Sequence, residues 1–171
     1  MQKDNLAQAR AALPGRVLAI DLGARRIGLA VSDPMRWTAQ GLPTLERRNA
    51  RYDLDYLQSL VRQYDVALVL LGNPLNMDGS EGSQSARARE FAERLRQSLK
   101  IEVRLWDERL TTVEARLLLQ ESGMKRQRKS RQVDRLAAAI LLQDFLETQR
   151  TCRPSSSPQP SGVASGEEEP A

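Results

Sequence analysis

Four acidic residues stand where apolar runs meet polar segments, the places where a side chain can do chemistry. Asp21 closes "RVLAID" and is followed by Leu-Gly-Ala and two arginines. Asp107 and Glu108 close "IEVRLWD" and start the segment after it, and Asp134 stands at the head of "VDRLAAAILLQDFL". Each has a plain alternative. Asp21 can be a turn residue, Asp107 a helix cap, Glu108 a partner for Arg109, and Asp134 an acid favoured by the dipole of the helix it begins. The rest of the composition gives the group another use. The chain has no histidine and one cysteine, Cys152. Histidine bases, serine–histidine and cysteine–histidine pairs and cysteine-rich zinc sites are thereby excluded. Carboxylates remain, and oxygen-only ligands suit hard ions such as Mg²⁺ or Mn²⁺. Two such ions about 4 Å apart support in-line attack of water on a phosphodiester.

Basic residues accompany these acids. Arg25 and Arg26 follow Asp21 directly, and Lys125, Arg126, Arg128, Lys129 and Arg131 lie just before Asp134. The chain carries a net charge of +4; the tail from Thr151 contributes −2, which leaves +6 on the body. A charge run is usually a solvated surface, but one that ends at a metal-binding acid is better explained by a polyanion. Neutralising a phosphate backbone releases counterions, so such binding depends steeply on salt. In "NPLNMDGSEG", Gly79 and Gly82 allow close approach to a phosphate and the next helix start offers free N–H groups. The Lys-Ser/Thr of a P-loop is absent, so the segment is not read as an ATP site. Aromatic residues are 4% of the chain, which makes base stacking a minor option. Trp37 and Trp106 are read as core or rim packing.

The elements that must position these residues follow from periodicity. Residues 1–15 form an N-terminal extension ended by Pro14 and Gly15. "RVLAID" and "IGLAVS" are apolar without alternation and predict a hairpin of strands buried on both faces. "WTAQGLPTLE" predicts a third strand, at an edge because of Pro43. Leu54, Leu57, Val61 and Tyr64 predict a helix. "VALVLLG" predicts the fourth strand, Ala88, Phe91, Ala92, Leu95 and Leu99 a second helix, and residues 101–107 the fifth strand. Thr111 to Glu114 form a capping box for a third helix, and a last helix runs from about Gln132 to Gln149, with Asp134 in or near its first turn. The expectation is an α/β protein with a mixed five-stranded sheet flanked by helices, occupying residues 16–150. Residues 151–171 are rich in Pro, Ser, Gly and Glu and predict a disordered tail. The strand ends that carry Asp21 and Asp107 then share one rim.

Four ordered blocks, "AIDLGARRIGLAVSD", "LLGNPLNMDGSEG", "WDERLTTVEA" and "VDRLAAAILLQDFL", resemble the YqgF/RuvX family of pre-16S rRNA nucleases, also described as Holliday junction resolvase-like. The resemblance runs from about Val17 to Leu146. It implies an RNase H-like fold and a metal-dependent nuclease acting in 5′-end maturation of ribosomal RNA. By the same resemblance the acidic site falls on Asp21, Glu108 and Asp134, with Asp107 adjacent. Two positions depart from the family pattern. Ala24 replaces a hydroxyl residue, which removes a side-chain phosphate contact, and Asn73 replaces a leucine before Pro74. In an RNase H-like sheet the fourth strand separates the first from the fifth. Glu108 must therefore bridge two strand spacings, roughly 9.6 Å, to meet Asp21.

Other functions stay open at this level. Branched DNA is a second substrate class, and a non-catalytic RNA-binding factor is a second type of function. An actin-like phosphotransferase shares the Asp-x-Gly strand end but needs two such domains. No apolar run is long enough to span a bilayer and the first residues lack an apolar signal core, so a cytoplasmic protein is expected.

Overall fold

The computed structural model describes residues 15–108 and 126–151, with backbone only over 126–132. Strands β1 (Arg16–Leu22), β2 (Arg26–Ser32) and β3 (Ala39–Glu46) come first, followed by helix α1 (Ala50–Gln63), strand β4 (Val66–Asn73), helix α2 (Ser83–Leu99), strand β5 (Glu102–Asp107) and helix α3 (Arg126–Thr151). The sheet order is β3-β2-β1-β4-β5. β2 runs antiparallel to β1 and β3, whereas β1, β4 and β5 are parallel. This is the five-stranded mixed sheet of RNase H-like type that the sequence predicts. The extension, the capping-box helix, Lys125, Cys152 and the tail lie outside the described residues.

β1 is central and buried on both faces, as its lack of alternation implies. On one face Leu18 and Ile20 pack with Leu57 and Leu60 of α1 and Phe91, Ala92 and Leu95 of α2. On the other, Val17 and Ala19 pack with Leu141, Leu142, Phe145 and Leu146 of α3. β3 is an edge strand, and it tolerates Pro43 because the ladder shifts there. Ile27 pairs with Leu45 and Leu29 with Leu42, so one residue of β2, Gly28, faces two of β3, Pro43 and Thr44, across the irregularity.

α1 starts at Asn49, whose side chain accepts from the Tyr52 N–H at 2.9 Å. α3 differs from expectation at its start. It already covers Arg126 to Arg131, because Arg, Lys and Gln are good helix formers and no Gly or Pro interrupts them. Asp134 is thus beyond the second turn, where the helix dipole does not account for it. Trp106 packs edge-on against Phe145, 5.2 Å between centroids, as read. Trp37 is 58% exposed, a rim position with the Arg150 guanidinium over its ring.

Candidate active site

The strand registers define the site. Val17 and Ala19 face α3, so alternation sends Asp21 to the same face. Gly28 is its ladder partner on β2. On the other side Ile20 pairs with Leu71, which sets Gly72 beside Asp21. The acid therefore lies between two residues without side chains, and what fills their space is informative. A Cβ on Gly28 would collide with the main-chain carbonyl of Asp134 and lie 3.3 Å from the Asp21 Cβ. A Cβ on Gly72 would collide with the Glu108 carboxylate and lie 2.9 Å from Leu141 Cδ1. Gly28 lets α3 approach the sheet, and Gly72 lets Glu108 fold back over β4.

This answers the distance problem. Glu108 follows β5, two strands from β1, but its carboxylate rests on the strand between them. The gap to Asp21 falls from two strand spacings to about one, roughly 4.8 Å. Asp134 comes from the opposite side, and its carboxylate accepts from Arg26 Nε at 2.8 Å. Three acids from distant parts of the chain thus gather on the α3 face of the rim. Burial pushes the Asp21 carboxyl up to about 6, and the charge of Asp134 adds to the rise. A carboxylate shifted in this way by burial and a like charge is a candidate for a functional role.

The other expected site residues are placed as follows. Asp107 is paired in register with Asn73, one step after Trp106, and alternation turns it to the α2 face, away from Asp21. Asn73 is buried there and accepts from Ser85 Oγ at 2.7 Å. Its polar side chain thus ties the end of β4 to the first turn of α2. Arg25 is exposed at the tip of the β1–β2 turn. Arg26 is engaged with Asp134. Arg126, Arg128, Lys129 and Arg131 lie on α3 ahead of Asp134. In the 73–82 segment, Gly79 has φ 86° and closes a turn through its N–H to the Asn76 carbonyl.

Arg47 was not anticipated. Its Nε donates to Asp53 at 3.0 Å and one Nη donates to the Gly23 carbonyl at 3.1 Å. Asp53 is 1% exposed, so a buried carboxylate fixes an arginine against the Asp-x-Gly turn. The one sequence cue was an acid at the fourth position of α1, which also suits an ordinary helix start.

Among the described residues no three acids are close enough to cage an ion as they stand; Arg26 holds the Asp134 carboxylate. The donor chemistry nevertheless fits a hard cation, since the group offers only carboxylate oxygens and carries like charges that raise the Asp21 pKa.

The family model described as "RuvX: Holliday junction resolvase" matches residues 15–148. The chain belongs to the RuvX family. It is 48% identical over 136 residues to a Koribacter versatilis protein named "Putative pre-16S rRNA nuclease", an alignment covering 80% of this chain and 89% of that one. A Syntrophomonas wolfei protein of the same name is 44% identical over 132 residues, 77% of this chain and 94% of the relative. Among solved structures, Thermus thermophilus RuvC in complex with a Holliday junction substrate aligns with a TM-score of 0.49 and 12% identity, over 79% of this chain and 96% of that one. This RuvX chain matches its family across the whole sheet and α3 up to residue 148, so Asp21, Glu108, Asp134 and both glycines of the site lie inside the matched region.

Proposed function

We propose that the protein is a divalent-metal-dependent nuclease, a hydrolase acting on phosphodiesters, that takes part in 5′-end maturation of precursor 16S rRNA during ribosome biogenesis. The observation that carries this reading is the convergence of Asp21, Glu108 and Asp134 on one rim through Gly28 and Gly72. The substrate comes from the pre-16S rRNA nuclease relatives. A role on ribosomal RNA puts the protein in the cytoplasm, and among the described residues no helix is long and apolar enough to cross a membrane.

Asp21, Glu108 and Asp134 would hold Mg²⁺ or Mn²⁺. Asp107 is left out of the set because it faces α2. When bound, the metal supplies a polarised water and stabilises charge on the phosphate. The chain does the rest. Asp21 is ionised above about pH 6. Arg26 balances Asp134 until a cation does so. Arg25, with the basic stretch Lys125 to Arg131, draws the backbone to the rim.

The test is cleavage of a precursor 16S rRNA fragment and a four-way DNA junction by wild type and Asp21→Asn, with Mg²⁺, Mn²⁺ or chelator. Metal-dependent cutting of the RNA, lost in a folded Asp21→Asn protein, is the expected result. Preferential cutting of the junction would favour the second substrate class, which the family description supports. Binding by both proteins with no cutting would make the protein an RNA-binding factor.

A further inference from the structure

A groove of about 550 Å³ opens from Asp21 on the side away from α3. The β1–β2 turn through Ala24 forms one wall and α2 forms the other, with Arg87 and Arg94 on α2 and Arg47 and Phe91 between. Ala24 and Arg47 also line a second groove, which holds Arg25, Arg26 and Arg48. Arg25, Arg26, Arg47, Arg48, Arg87 and Arg94 thus border the two grooves around the Asp-x-Gly turn, beside Glu90 in the first and Glu46 and Asp53 in the second.

The cations in the first groove differ in their freedom. Arg94 is engaged by Glu90 at 2.6 Å, an exposed pair of little energetic weight. Arg47 is immobilised by buried Asp53 and the Gly23 carbonyl and lies over the Phe91 ring at 5.8 Å. A guanidinium has five N–H donors, so Arg47 keeps donors for a ligand. Arg87 is exposed and has no ion-pair partner among the described residues. Arg87 and Arg94 are two helical turns apart, about 10.5 Å along α2. Each strand of a duplex advances about 3.4 Å per phosphate, so the two arginines span about three nucleotides.

We infer that this groove seats the phosphodiester backbone flanking the cleaved bond, with Arg87 and Arg47 as its phosphate contacts and Asp21 at its end. The inference rests on the nuclease reading and adds the direction in which the substrate leaves the acids: along α2, not only along α3. Arg87 is the residue to test, because Arg47 also supports the fold.

The experiment measures binding of a precursor 16S rRNA fragment in the Asp21→Asn background, which separates binding from cutting. Arg87→Gln is compared with Arg89→Gln over a series of salt concentrations. Arg89 is on the same helix, paired with Glu81 at 2.6 Å, outside the groove. The expected result is a several-fold loss of affinity for Arg87→Gln, with a log–log salt slope shallower by about 0.7–0.9, and no change for Arg89→Gln. Arg87→Lys should restore most of the slope. In active protein Arg87→Gln should raise KM more than it lowers kcat. Equal behaviour of the Gln variants at 87 and 89 would overturn the inference and leave the nuclease reading standing. If the Asp21→Asn protein binds neither this RNA nor a four-way DNA junction, both fall together.

Discussion

At the scale of single residues, Asp21 is held against its own preference. Its folded pKa of about 6 stands above the ordinary 3.8, so the native state binds the proton more tightly than the unfolded chain does. Asp21 is least costly to stability below about pH 4, and the cost grows as pH rises to about 6 and is then complete, reaching up to about 3 kcal/mol. Asp21→Asn should therefore be more stable than wild type at pH 7.5 and equal to it near pH 4, as urea unfolding at the two pH values would show. The same variant should lose cleavage, a trade that marks a site kept for function. Arg47 is the opposite case. Arg47→Ala leaves Asp53 with the Arg48 N–H but without its counterion, and should cost roughly 3 kcal/mol, measurable as a lowered denaturation midpoint.

At the scale of elements, two glycines decide how near the acids come to one another. Gly28→Ala puts a methyl group into the Asp134 main chain, which cannot move without lifting α3 from β2. That variant should lose stability by about 2–3 kcal/mol and lose cleavage with it. Gly72→Ala meets the carboxylate end of Glu108 and a Leu141 methyl, both of which can shift. It should fold with a smaller loss, under about 1.5 kcal/mol, yet cut poorly because Glu108 is pushed off β4. A thermal melt beside a cleavage assay on both variants separates the two effects. The strands and the helices α1 and α2 were legible from period and turn residues. The start of α3 was not, because its first turns carry charge rather than an apolar stripe and periodicity has nothing there to register.

At the scale of the whole molecule, the gathered carboxylates and a divalent ion should be linked. Mg²⁺ or Mn²⁺ should raise the melting temperature of wild type above about pH 6, where Asp21 is ionised, and raise it less at pH 5. Asp21→Asn should show little of this shift at either pH, and calorimetry with the metal alone would check it. What the sequence by itself determined is the chemistry available: no histidine, acids at three apolar ends and arginines beside them. These follow from residue type and local spacing. Only the tertiary structure decided which acids share a face of the rim. Asp107 and Glu108 are neighbours in sequence, but strand alternation sends Asp107 to α2, while the missing side chain of Gly72 lets Glu108 lie over the strand next to that of Asp21. Arg47 likewise acquires its place at the rim from a buried partner six residues on and a carbonyl twenty-four residues back. Pairing between strands and clearance above a glycine are properties of two segments together, and no single stretch of sequence carries them.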